Sequence, residues 1–226
     1  ETVADFDWQP KQPRAGELVT FTVKQTPGNS PAVRYYWDFD GDGIVDGEKA
    51  AEQKALKMDK THLVSLVVED ATGKKSQPIA KTIPVGNALA GDIQIDSEDD
   101  KYVTVKLVKK SIAQTPFWGT YFHTDGNLMK GSSFASYDAP IKKAGRYAVY
   151  VSSIPGNGRS ANTLVEIKHA KGTEKVYIDQ RKAGPLFGLI FLGVFEFEPG
   201  SPANVTIHNN DPDKYILYDI ARWIMQ

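Results

Sequence analysis

The stretch that most constrains this chain runs Tyr35-Tyr36-Trp37-Asp38-Phe39-Asp40-Gly41-Asp42-Gly43-Ile44-Val45-Asp46-Gly47-Glu48. Its aromatic opening reads as a strand with large rings to bury. It then becomes a turn whose carboxylates, Asp38, Asp40, Asp42 and Asp46, recur as D-x-D-x-D-G-x-x-D, a density that needs either open water or a cation. Gly43 stands where a loop folding around a hard cation must turn sharply, and Gly41 and Gly47 add backbone freedom. The spacing is that of a calcium loop, with Asp38, Asp40, Asp42, Ile44 and Asp46 as candidate ligands. It is not an EF-hand, because position twelve falls on Lys49 and no amphipathic helix flanks the loop. A solvated loop without metal is the competing reading.

Trp37-Asp38-Phe39-Asp40-Gly41-Asp42-Gly43, preceded by Gly16-Glu17-Leu18-Val19-Thr20-Phe21 and followed by Val64-Ser65-Leu66-Val67-Val68-Glu69-Asp70-Ala71-Thr72-Gly73, resembles the polycystic-kidney-disease (PKD) domain. The resemblance covers roughly Glu1 to Val85, with His62 where that family usually has tyrosine. It implies a small β-sandwich with Trp37 in its core, acting as an extracellular spacer or adhesion module.

With 226 residues the chain has room for one large or two modest cores. Its net charge is -1 and neither sign forms a long run, so neither nucleic acid nor an anionic membrane is an electrostatic partner. Cysteine is absent, which excludes disulfides, thiolate zinc sites and cysteine nucleophiles. The longest apolar run, Gly184 to Phe195, falls well short of the roughly 20 residues that span a bilayer. The chain opens on Glu1 and shows no signal peptide, which reads as a mature or truncated part of an exported bacterial protein, secreted, periplasmic or at the cell surface.

Short alternating runs of valine, threonine, tyrosine and phenylalanine, with no sustained helical periodicity, predict an all-β protein. Val19, Phe21 and Val23 share one side of a strand, and Val64, Leu66 and Val68 share one side of another. The charged segment from Gly47 to Lys60 reads as a loop. Thr82 to Val85 closes a first β-sandwich over residues 1–85, and Gly86 to Gly91 forms a linker too short for free tumbling, so a restricted, hinged pair is expected. Asp96-Ser97-Glu98-Asp99-Asp100 is an acidic turn, read as solvated in preference to a second cation site. Residues 92–226 then form a second sandwich of jelly-roll type, with strands over Tyr102–Leu107, Tyr147–Val151, Thr163–His169, Lys175–Asp179, Leu189–Phe197, Asn204–His208 and Tyr215–Trp223.

Within this second region, Ala139 to Val151, Arg159 to Thr163, Val176-Tyr177-Ile178-Asp179-Gln180-Arg181, Leu192 to Gly200 and Tyr218-Asp219-Ile220-Ala221-Arg222 look like the golvesin C-terminal-like domain. That family is similar to the carbohydrate-binding region of xanthan lyases, so the resemblance implies a sugar-binding sandwich. Leu189 stands near the position where the family often places a tryptophan.

Nothing in the sequence assembles a catalytic constellation. His62, His123, His169 and His208 are scattered, and no serine lies in a G-x-S-x-G elbow. Sugar binding needs only aromatic planes for pyranose faces and polar groups for hydroxyls. Trp118, Tyr121, His123, Asp125, Asn127 and Lys130 offer both in one glycine-punctuated stretch. Arg159, Gln180 and Arg181 join them from the family-matching segments, and Phe187 from an exposed Gly-Pro-Leu-Phe-Gly tip. Alternatively, Trp118 and Phe122 are core and Tyr121 and His123 face outward. Asp219 and Arg222 read as structural. The expectation is a noncatalytic carbohydrate-binding pair acting on polysaccharide, alone or within a larger secreted protein. A structural or protein-binding adhesion module and a polysaccharide-degrading enzyme are the alternatives.

Overall fold

The computed structural model describes residues 2–25, 29–41, 43–56, 61–86, 92–113, 117–127, 131–152, 154–182, 189–211 and 214–226. Among them every regular element is a β-strand, and none is a helix long and apolar enough to cross a membrane. The protein is all-β.

Six strands come from the first part of the chain: β1 (Phe6–Gln9), β2 (Leu18–Val23), β3 (Ala32–Asp38), β4 (Ala51–Ala55), β5 (Thr61–Asp70) and β6 (Ile79–Pro84). They form two antiparallel sheets, ordered β1-β2-β4 and β3-β5-β6. Phe6, Val19 and Phe21 from the first sheet meet Trp37, Val64, Leu66, Val68 and Ile83 from the second in one buried cluster. Trp37 stacks on Phe39 at 5.5 Å and meets Phe6 edge-on at 5.0 Å, the arrangements that an aromatic quadrupole favours. The Gly47 to Lys60 segment is not all loop, because β4 pairs with β2 from Leu18↔Ala55 to Thr22↔Ala51. Its short, alanine- and charge-rich sequence hides an edge strand whose side chains are mostly in water.

The remaining strands are β7 (Asp92–Asp96), β8 (Val103–Lys106), β9 (Lys109–Ser111), β10 (Phe122–Thr124), β11 (Phe134–Asp138), β12 (Gly145–Ser152), β13 (Thr163–His169), β14 (Gly172–Ile178), β15 (Leu189–Phe197), β16 (Asn204–His208), β17 (Leu217–Tyr218) and β18 (Ile220–Met225). A five-stranded sheet, β14-β13-β16-β11-β8, packs on a four-stranded one, β15-β12-β18-β7. Tyr137, Val165, Ile167, Val205 and Ile207 from the first meet Val149, Val151, Phe197, Ala221 and Trp223 from the second in a shared core. A small third sheet, β17-β10-β9, closes one end.

β12 and β18 are buried nearly throughout rather than alternating. One face of each serves the core just described. The other face, Ala148, Tyr150, Ile220 and Ile224, packs with Trp118, Leu63 and Ala80. Strands covered on both sides read as continuous apolar runs, and here the second cover is the β5–β6 region. Contacts across the chain's two parts therefore bury apolar surface as well as bridging the short connector.

Candidate functional site

At the β17-β10-β9 end lies a groove of about 480 Å³ lined by Ser111, Phe122, Thr124, Asn157, Arg159 and Tyr215, among others. Two backbone hydrogen bonds hold Tyr215 beside the Gly156 to Ser160 segment: its N–H donates to Gly158 O at 3.1 Å, and Ser160 N–H donates to Tyr215 O at 3.0 Å. Tyr215 is 41% exposed, so part of its side chain is open to a ligand. The Arg159 guanidinium lies 6.0 Å from that ring's centre, and its Nε donates to Ile154 O at 3.4 Å. Burial pulls the Arg159 pKa down, and the nearby Asp125 carboxylate works in the opposite sense. Phe122 forms a buried floor with Phe117, Ile154 and Leu217. The groove thus offers an aromatic plane, a cationic fork and amide and hydroxyl edges, the chemistry that a polyhydroxylated ring requires.

The sequence-predicted residues fall on both sides of this wall. Arg159 lines the groove. Asp125 and Gln180 do not present to it: Asp125 is 1% exposed, and its Oδ1 accepts N–H groups from Asn127 and Ile216, each at 3.1 Å. Gln180 is fully buried, donating to Leu217 O at 2.9 Å and accepting Leu217 N–H at 3.1 Å. Both act as backbone clamps on the segment that carries Tyr215. Unpaired amides there would cost free energy in the dry interior, which is why polar side chains occupy these positions.

Trp118 is no open platform. It is 7% exposed and packs among Leu63, Tyr150, Leu189 and Ile220. His123, expected on the outward parity, is 5% exposed and shares a 3.0 Å hydrogen bond between Nδ1 and Ser97 Oγ. Alternation fails because the acidic turn covers the outer side of β10. Desolvation in that position lowers the His123 pKa. Tyr121 is half-buried, with the Lys110 ammonium 4.2 Å from its ring centre. Asn127 is exposed at a left-handed turn, φ 58°, and Arg181 is exposed but engages Asp179 through two nitrogens at 2.9 and 2.8 Å. Lys130 and Phe187 lie outside the described residues. Tyr215 and Asn157 went unnoticed, although a tyrosine directly after the sequence Asp-Pro-Asp-Lys was a usable signal.

In the acidic loop, Asp38, Asp40 and Asp46 each bring one carboxylate oxygen within 4.8 Å of the others. Asp38 is buried, and its oxygens accept N–H groups from Asp40, Gly41 and Gly43 at 3.2, 2.7 and 2.8 Å. Burial pushes its pKa up to about 7 against the pull of those donors. Asp46 Oδ2 accepts Phe39 N–H at 2.8 Å, and Trp37 and Gly47 bridge the loop's base. Ile44 is exposed, and Asp42 lies outside the described residues.

Asp219 and Arg222 are 1% and 2% exposed, as structural groups would be. Residues 93–224 match the family described as the golvesin C-terminal domain. A xanthan lyase of Bacillus sp. (strain GL1) is 31% identical over 169 residues, which are 69% of this chain and 18% of that protein. The structure of a Paenibacillus xanthan lyase has a similar fold, with a TM-score of 0.58 and 16% identity over 100% of this chain and 25% of its own. The chain therefore spans only a small part of either relative. Since the family match takes in more than half of its residues, the chain belongs to the golvesin C-terminal domain family.

Proposed function

We propose that residues 92–226 form a noncatalytic module that binds polysaccharide in the Arg159–Tyr215 groove, and that residues 1–85 form a PKD-like spacer joined to it by residues 86–91. The observation that carries the reading is the exposed Tyr215 side chain beside the Arg159 guanidinium within a groove of about 480 Å³. Family membership and the relative named as a xanthan lyase support it, and they make xanthan the first glycan to try. An exported bacterial polysaccharide-acting protein is the natural parent. The Asp38–Asp46 loop takes calcium in this reading, supported by the three converging carboxylates.

The test is retardation of the 226-residue protein in native gels containing xanthan or other polysaccharides. Retardation that is lost in Tyr215→Ala and reduced in Arg159→Ala, both still folded, is the expected result. No retardation by any polysaccharide would favour the protein-binding alternative. Sugar release by the purified chain would favour the enzyme.

A further inference from the structure

Along the edge of β15, the outer strand of the four-stranded sheet, runs a groove of about 680 Å³. Between Tyr150↔Phe191 and Val149↔Gly193 the pairing of β12 with β15 slips, so Leu192 is the extra residue of a bulge and is buried in the core. Just beyond it Gly193 has φ 143°, and a Cβ there would fall 2.8 Å from Phe195 Cζ. Glycine is therefore what lets the half-buried Phe195 ring lie back along its own strand. The His169 ring flanks it at 5.2 Å between centres, tilted by 42°. Val176 and Leu192 add apolar lining.

Charged groups of both signs share the lining with these rings. Lys171 Nζ lies 2.7 Å from Glu196 Oε1, so that pair is occupied with itself. Arg146 and Glu174 are exposed, and their side chains make no hydrogen bond or ion pair among the described residues. One offers the donors of a guanidinium and the other the acceptors of a carboxylate. Beside an aromatic ring, such a pair suits a ligand that presents C–H faces and carries hydroxyls, each of which donates and accepts. A strand from another protein is a poorer fit. The bulge interrupts the row of backbone groups on β15, and Glu196 O already accepts the Ala170 N–H at 2.9 Å.

We propose that this groove is a second saccharide subsite, which takes a hexopyranose unit of a polysaccharide against Phe195 while Arg146 and Glu174 hydrogen-bond its hydroxyls. Gly193 is a positioning residue, since any side chain there would push the Phe195 ring from its place. Phe195 is less exposed than Tyr215, which makes this the weaker of the two subsites. It extends the hold of the Arg159–Tyr215 groove on a long chain and does not retard the protein in a gel by itself. The inference rests on the reading of residues 92–226 as a polysaccharide-binding module, though not on the Arg159–Tyr215 groove.

The experiment follows the backbone amides of the 226-residue chain by NMR while xanthan oligosaccharides, or hexasaccharides of glucose, mannose or galactose, are added to millimolar concentration. Two sets of shifting amides are expected, one around Tyr215 and one around Gly193 and Lys171, the second saturating later. Tyr215→Ala should abolish the first set alone. Phe195→Leu, which keeps apolar cover over the core, should abolish the second alone. Arg146→Ala combined with Glu174→Ala, both at exposed positions, should weaken the second set too and serves if Phe195→Leu fails to fold. Amides around Gly193 and Lys171 that stay still while those around Tyr215 move would overturn this subsite and leave the first groove standing. Stillness at both would overturn the polysaccharide reading with it. Shifts around Gly193 that grow with protein concentration, without sugar, would assign the groove to a second copy of the chain instead.

Discussion

The Arg222 guanidinium of the last strand donates to the carbonyl oxygen of Ala80 at 3.3 Å, joining residues 142 positions apart, and to Gln94 Oε1 at 2.9 Å. Arg222 is 2% exposed. It lies on the outer face of the β15-β12-β18-β7 sheet, where the first part of the chain packs through Leu63 and Ala80.

Arg222→Met keeps the volume of the stem but takes the donor away from the half-buried Ala80 carbonyl and the exposed Gln94 side chain. A loss of about 1.5–3 kcal/mol is expected, the range for hydrogen bonds made by a charged group. Urea denaturation followed by tryptophan fluorescence measures it. A loss within about 0.5 kcal/mol, typical of surface substitutions, would show that the contact contributes nothing.

Trp118 and Tyr215 should separate stability from binding. Trp118→Ala empties a packed position and is expected to cost about 3–5 kcal/mol, while the folded fraction keeps its affinity for glycan. Tyr215→Ala removes a side chain that is 41% exposed, so the melting temperature should move much less than in Trp118→Ala while polysaccharide retardation disappears. Equal effects of the two on retardation would contradict the assignment of the groove.

Asp40→Ala removes an exposed member of the Asp38–Asp46 cluster. The melting temperature should fall relative to wild type in calcium and match it in chelator. An equal fall in both conditions would show that the loop holds no metal and that Asp40 matters only through local hydrogen bonding.

His123 gives a pH dependence of known sign. Burial lowers its folded pKa below the ordinary 6.5, so the unfolded chain binds the proton more readily. Its contribution to stability is complete above pH 6.5 and is lost as the pH falls below that value. His123→Asn keeps a polar partner for Ser97 and should flatten the stability profile between pH 7 and 5. An unchanged slope would place the responsible proton elsewhere.

Much of the core was legible because it obeys local periodicity. Val64, Leu66 and Val68 alternate inward, and Trp37 lies beneath an aromatic cluster, since such rings lose most by remaining in water. The groove was legible only in part. Arg159 and Gln180 were named for their places in family-like segments and Asp125 for its polarity, but Gln180 and Asp125 serve backbone groups instead. A side chain's partner depends on which distant strand lies opposite, and local spacing carries no such information.

The residue pattern by itself determined that this chain is all-β, that strands such as β13 have one wet face, and that carboxylates gather at Asp38–Asp46 and Asp96–Asp100. Those properties follow from side-chain period and from charge density over a few residues. The tertiary structure alone decided that β12 and β18 are covered on both faces, that Trp118 and His123 turn inward, and that the buried Asp219 carboxylate accepts the Trp118 N–H and the Ser152 hydroxyl. Each depends on segments far apart in the chain being packed together, and burial, unlike periodicity, is a property of the neighbours that packing supplies.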